Sequence, residues 1–287
     1  MASRTATADA GRRRTAVLEA VAARREDATA LVHRYSTSPI KIAKTFQQGS
    51  ELCVMLMDAS PGMLAGDRYE LDWEAQAGAH LSLTNQGFTK VHPSKPGQGA
   101  SSIASYRAGT DACIETMMKP TMLYRGASYE SGVSVDLARG AIWMQADILC
   151  PGRTLRGEAF QYEAWDNRLS VRYEGELIHH QRQLIRPGEH RIGQPGAWRA
   201  FSHVGTFAVF SDRVTTALLE AVRTKLETSG IPQEQLYAGA AMTWRHGLIV
   251  LAAADSAWVL QRAFSDIRIA IRASLLGIGP SRLGGTE

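Results

Sequence analysis

The sequence is poor in cysteine, with three in 287 residues: Cys53, Cys113 and Cys150, an odd number at wide spacing with no CxxC pair. That excludes a disulfide framework and a structural zinc site of ordinary ligand spacing, and it points to a reducing compartment, the cytoplasm. No apolar run approaches the roughly 18 residues that a bilayer-spanning helix needs. Glu19 also interrupts the apolar stretch that follows Arg12, Arg13 and Arg14, so neither a membrane anchor nor a secretory signal is expected. The phosphate loop G-x-x-x-x-G-K-[ST], a G-x-G-x-x-G following a strand, the G-x-S-x-G elbow and H-E-x-x-H are all missing, so nucleotide, serine-hydrolase and zincin chemistry lack their signatures. No catalytic activity is expected from the chain.

The formal net charge of +4 is unevenly placed. Residues 1–44 carry nine Lys/Arg against four acids, a balance of +5, and the rest carries 23 against 24, a balance of −1. The body therefore offers no basic groove for phosphates, and no nucleic-acid partner is expected. With 45% hydrophobic and 21% charged residues the chain can fill a sizeable core. We expect a disordered basic tail over 1–13 and one folded domain over 14–280.

From Thr15 two apolar arms flank Arg24-Arg25-Glu26-Asp27, the pattern of a hairpin. Gly78, Gly109 and Gly140 recur at spacings of 31 and 31. Gly66 and Gly97, Pro120 and Pro151, Arg125 and Arg156, and Gly126 and Gly157 share that period. Self-similarity of this length predicts a mainly β fold of β-helix-like stacked strands, in which each unit buries its faces only against its neighbours. Two α-helices are expected in the C-terminal half. Ser211 is placed to cap a run with Val214, Leu218, Val222 and Leu226 on one face, closed by Gly230. A second run, from Ser256 to Gly277, carries Leu260, Phe264, Ile267, Ile271 and Leu275 as its stripe, and Arg268 and Arg272 read as part of its exposed face. Residues 236–253 read as a hairpin across Arg245-His246-Gly247.

Isolated chemistry is sparse. Asp147 lies in the apolar run IWMQADILC, where a carboxylate needs a partner or a function. Arg153 or Arg156 is one available partner. Arg153 and Glu158 in GRTLRGEAF form either a salt-bridged turn or part of a polar cavity. Asp67 reads as the cap of a glycine turn and Lys90 as a lone cation at a strand–loop junction. His179 and His180 are neighbours on a strand-like stretch and so point to opposite faces.

Four ordered motifs carry a resemblance. SPGMLAGD (Ser60 to Asp67), Thr84 with Thr89-Lys90, Ile114-Glu115 through Pro120, and Gly152-Arg153 through Gly157-Glu158-Phe160 resemble the PGG-x-x-x-GD, T-x-x-x-x-K, L-E-x-x-P-x-P and GR-x-x-x-GE-x-F pattern of the urease accessory protein UreD (UreH) family. SPIKIAKTF (Ser38 to Phe46) matches the family's upstream segment, so the likeness spans roughly 15–275. Departures are Met63 for the second glycine, His92-Pro93 after the lysine, Thr116 after Glu115, and the ending GPSRLGG. The resemblance implies a β-helix-like stack with two helices and a scaffold rather than a catalyst. It implies partners in a UreF-like accessory protein, a UreG-like GTPase and apo-urease, with no stably bound cofactor and nickel only in transit. It also implies a polar internal passage at Thr89, Asp147 and Gln181, where relatives commonly have glutamate at the last position. His179, His180 and Glu176 are candidates to compensate. The alternative is a carbohydrate-active enzyme on a β-solenoid with Asp147 and Glu158 as its acid/base pair, which requires their carboxyls roughly 5–10 Å apart in an open groove.

Overall fold

Alternating apolar and polar residues make strands of most of the chain before residue 211. The computed structural model describes residues 15–192, 194, 198 and 201–281, and the expected tail over 1–13 lies outside them. The strands are β1 (Ala16–Arg25), β2 (Ala28–Ser36), β3 (Ile40–Gln48), β4 (Glu51–Asp58), β5 (Arg68–Ala75), β6 (His80–Asn85), β7 (Thr89–Val91), β8 (Ala100–Ala108), β9 (Cys113–Met117), β10 (Thr121–Leu123), β11 (Ser128–Leu137), β12 (Ile142–Cys150), β13 (Ala164–Tyr173) and β14 (Glu176–Ile185). After them come β15 (His203–Phe210), α1 (Thr216–Glu227), β16 (Leu236–Met242), β17 (Gly247–Ala254) and α2 (Ala257–Leu276).

They form two facing sheets. The first runs β14-β13-β11-β8-β5-β1-β2; the second runs β16-β17-β15-β12-β9-β6-β4-β3, with the short β7 and β10 closing a third side against β12. Strands β5, β8, β11 and β13 are parallel to one another, as are β4, β6, β9 and β12, so the chain coils through the same two sheets again and again. The mainly β, stacked architecture with two late helices is the one expected. The β1–β2 and β16–β17 hairpins form where the sequence places them.

The repeat is real, but its glycines are not all equivalent. Along the second sheet Glu51, His80, Cys113 and Ile142 stand in register, with later coils of 33 and 29 residues whose mean is the 31 read from sequence. The stacked turns are Gln76–Ala79, Gly109–Ala112 and Ala138–Ala141. Their left-handed corners are Gly78, Asp111 and Gly140, at φ 68°, 56° and 71°. Gly109 therefore opens its turn, two residues before the corner that Asp111 occupies. The match of Arg125-Gly126 with Arg156-Gly157 is coincidence: Gly126 N–H bonds Gln161 O across to the next coil, whereas Gly157 closes the 3-10 turn Thr154–Arg156.

Helix α1 begins later than Ser211 suggested. Thr215 is its cap, its hydroxyl accepting from Leu218 N at 3.3 Å, and Ser211 instead forms the turn before it. Helix α2 ends at Gly277 in the left-handed conformation, as its sequence predicts.

Strand alternation gives the second sheet two distinct faces. Ile142, Met144, Ala146 and Ile148 of β12 pack with Phe264, Ile267 and Ile271 of α2, whereas Trp143 and Leu149 belong to the core between the sheets. Asp147 falls on the inter-sheet side. Glu115, whose register partner is Met144, falls on the helix side.

Candidate functional site: the inter-sheet cavities

Three cavities follow one another between the sheets. An inner cavity of about 330 Å³ is lined by Met63, Tyr69, Tyr106, Tyr129, Thr89, Lys90 and Asp147 among others. A constriction of about 10 Å³ comes next, framed by Gln145, Asp147, Asn167, Gln181, Gln183 and Thr206. An outer cavity of about 640 Å³ opens beyond it, lined by Asp147, Thr206, Tyr237 and Leu251 of the second sheet, by Trp165 and Gln183 of the first, and by Trp198. Asp147 lines all three, Thr89 lines the inner one and Gln181 the constriction. The three residues singled out from sequence thus lie along one seam. His179, His180 and Glu176 line none of the three. His179 stacks on Phe210, His180 shares a hydrogen bond with Ser170 at 2.9 Å, and Glu176 pairs with Arg245.

Asp147 does not use the arginines available to it in sequence. Its Oδ2 accepts from Asn167 Nδ2 at 2.7 Å, and its Oδ1 carries no hydrogen bond among the described residues. Burial pushes its pKa up to about 6, and the Asn167 hydrogen bond works against that rise. A half-buried acid with a neutral partner is one a cation or water can still reach.

The remaining motif residues build the walls. Gly62, at φ 131°, passes so close to β7 that a Cβ there would lie 2.6 Å from Lys90 O. Met63 N–H then bonds that same carbonyl at 2.8 Å, fixing β7 as the wall that carries Thr89. Asp67 caps its turn by accepting from Leu64 N at 2.8 Å. Arg153 grips Glu158 with two bonds of 2.7 and 2.6 Å and lies over the Tyr124 ring, while Glu158 also accepts from Arg125 N. This is the salt-bridged turn. Glu158 lines none of the three cavities, so the acid/base pair that the carbohydrate-active alternative requires does not share a groove.

On the opposite face of the second sheet lies a cluster that sequence reasoning misread. Arg268 and Arg272 are 4% and 1% exposed, not on the solvent face of α2. Arg268 Nε donates to Glu115 Oε2 at 2.6 Å, Arg272 bonds Glu115 Oε1 as well, and Arg272 Nη2 donates to Glu51 Oε2 at 2.7 Å. His80 Nε2 lies 2.7 Å from Glu115 Oε1, and Ser281 Oγ donates to Glu51 Oε1 at 2.7 Å, sealing the cluster from the C-terminal side. Burial alone would raise the Glu115 pKa, but Arg268, His80 and Arg272 outweigh it and hold it at about 2. Burial likewise opposes protonation of His80, yet Cys113 and Glu115 carry its pKa up to about 10. His80, Cys113 and Glu115 have ligand atoms within 4.8 Å of one another, but both Glu115 oxygens are engaged by guanidinium groups that repel a cation. The arrangement is an ion-paired core rather than a metal centre. Arg268 and Arg272 follow Phe264 at intervals of four, so they share its buried face; that spacing was the signal available in the sequence.

The sequence profile of the UreD urease accessory protein matches residues 14–283. The chain belongs to the UreD family. Urease accessory protein UreD of Acetivibrio thermocellus is 26% identical over 84% of this chain and 90% of its own length. UreD of Natronomonas pharaonis is 29% identical over 92% and 88%. UreD of Nostoc punctiforme is 26% identical over 91% and 92%. Membership of the UreD family supports a role in urease maturation. No described helix is long and apolar enough to cross a membrane.

Proposed function

We propose that the chain is a scaffold of urease maturation that acts with a UreF-like protein, a UreG-like GTPase and apo-urease in the cytoplasm, and that it passes nickel through its interior. It has no catalytic step of its own. The observation that carries this reading is Asp147, a carboxylate with no basic partner among the described residues, at the meeting point of three consecutive cavities.

A conduit for a divalent cation needs oxygen ligands that attract the ion without trapping it. Thr89 offers a hydroxyl in the inner cavity, Asp147 one charged carboxylate at the junction, and Gln181 an amide oxygen at the constriction. One charge with neutral oxygens on either side favours brief residence over tight binding. The constriction, about one water in volume, requires the ion to exchange hydration water for these oxygens or the side chains to move apart.

Gln181→Phe tests the passage by filling its narrowest part from a half-buried strand position. Expected is a variant that folds and assembles with its partners but activates urease at less than a tenth of the normal extent. Normal activation by that variant contradicts the passage.

A further inference from the structure

We propose that Asn167, oriented by Ser131, is a positioning residue: it holds one oxygen of Asp147 and turns the other to the cavities, while leaving the carboxylate's charge uncompensated. The proposal rests on the passage reading for its cargo, but its geometry stands on contacts alone.

Ser131 and Asn167 are cross-strand neighbours on β11 and β13 of the first sheet. Ser131 Oγ donates to Asn167 Oδ1 at 2.7 Å, which leaves Nδ2 as the group facing Asp147 on the second sheet. A flipped amide would set two oxygens against each other on the Asp147 side and lose the hydroxyl's acceptor on the other. The Ser131–Asn167–Asp147 chain therefore spans the gap between the sheets with a defined direction. Asn167 borders both the inner cavity and the constriction, as Asp147 does.

The preceding residue shows what the alternative looks like. Asp166 lies outside the cavities, gripped by Arg168 and Arg182 at 2.7 and 2.8 Å. Strand alternation thus gives one carboxylate two arginines on one side of β13 and another carboxylate a neutral amide on the other. An arginine could hold Asp147 as firmly as Asn167 does, but it would cancel the charge that a cation would be drawn to. Asn167 provides orientation without neutralisation, the task of a residue behind a metal-binding carboxylate.

The test is urease activation by the full chain with its partners and apo-urease, titrated with nickel chloride, beside crystal structures of the variants. Asn167→Ala is expected to raise the nickel concentration for half-maximal activation about tenfold while the plateau stays within about twofold. Ser131→Ala is expected to act in the same direction and more weakly. Asn167→Arg is expected to lower the plateau itself, because nickel then meets a neutral pair. In the Asn167→Ala crystal structure the Asp147 carboxylate should leave its present rotamer. An unchanged nickel requirement in Asn167→Ala, with Asp147→Asn inactive, overturns the positioning role and leaves the passage standing. Normal activation by Asp147→Asn overturns the passage, and the Asp147 rotamer then decides the positioning role alone: retained, it is wrong.

Discussion

The two faces of the second sheet differ in how they treat a buried acid. On the helix side, Glu51, Glu115, Arg268, Arg272 and His80 form a closed set in which each acid meets a guanidinium. On the inter-sheet side, Asp147 meets an amide and open space. Burial opposes the charge of both Glu115 and Asp147, yet it is outweighed at one and prevails at the other: Glu115 is held at about 2 and Asp147 rises to about 6. A buried acid matched by buried bases holds elements together; an acid left with a neutral partner beside a cavity is available to something else.

The largest effect expected from breaking this contrast is on the closed side. Arg272→Leu leaves Glu51 and Glu115 short of a counter-charge and should cost about 3–5 kcal/mol, read from the urea midpoint of the purified chain. Asp147→Asn should keep stability within about 1 kcal/mol of the parent, or raise it, because it removes a charge that burial disfavours.

Next in size is the dependence of stability on pH. Glu115, held at about 2 in the fold, contributes stability above its ordinary value of 4.5 that is lost as pH falls from there towards 2. His80, raised to about 10, contributes stability below its ordinary 6.5 that is lost as pH rises from there towards 10. Asp147 acts in the opposite sense to Glu115: its raised value makes ionisation costly in the fold, so its penalty grows as pH rises from 3.8 to about 6. Melting curves between pH 3 and 10 should show these slopes in the parent, with His80→Gln losing the alkaline one and Asp147→Asn the one between 3.8 and about 6. The smallest effect is expected at Thr89→Val, which keeps shape and removes one hydroxyl from the inner cavity. Its melting temperature should be unchanged and its nickel requirement should rise by no more than about threefold.

Much of the fold was legible because alternation and turn chemistry are local signals. The β1–β2 hairpin follows from apolar arms around Arg24 to Asp27, and the 31-residue period averages coils of 33 and 29. Gly78, Gly109 and Gly140 all lie in the stacked turns, but in the middle coil the left-handed corner falls to Asp111, an acid that tolerates it, rather than to glycine. At the site, Asp147 was legible as a lone acid in an apolar strand. Asn167 was not: Trp165, Leu169 and Val171 mark its side of the strand as inward, but no local signal shows that it meets Asp147 across the sheets. Arg268 and Arg272 were misread because a basic residue on a helix usually points to solvent. Glu51 in ELCVMLM and Glu115 in CIETM were the buried counter-charges that would have placed them inside.

Stability and urease activation measured together on Asp147→Asn and Glu115→Gln separate the roles of the two buried carboxylates of the second sheet. Asp147→Asn should melt with the parent, assemble with its partners and fail to activate urease, whereas Glu115→Gln should lose stability and activate urease in proportion to the folded protein that remains. Normal activation by Asp147→Asn, or loss of its folding and assembly together, would contradict that division of roles.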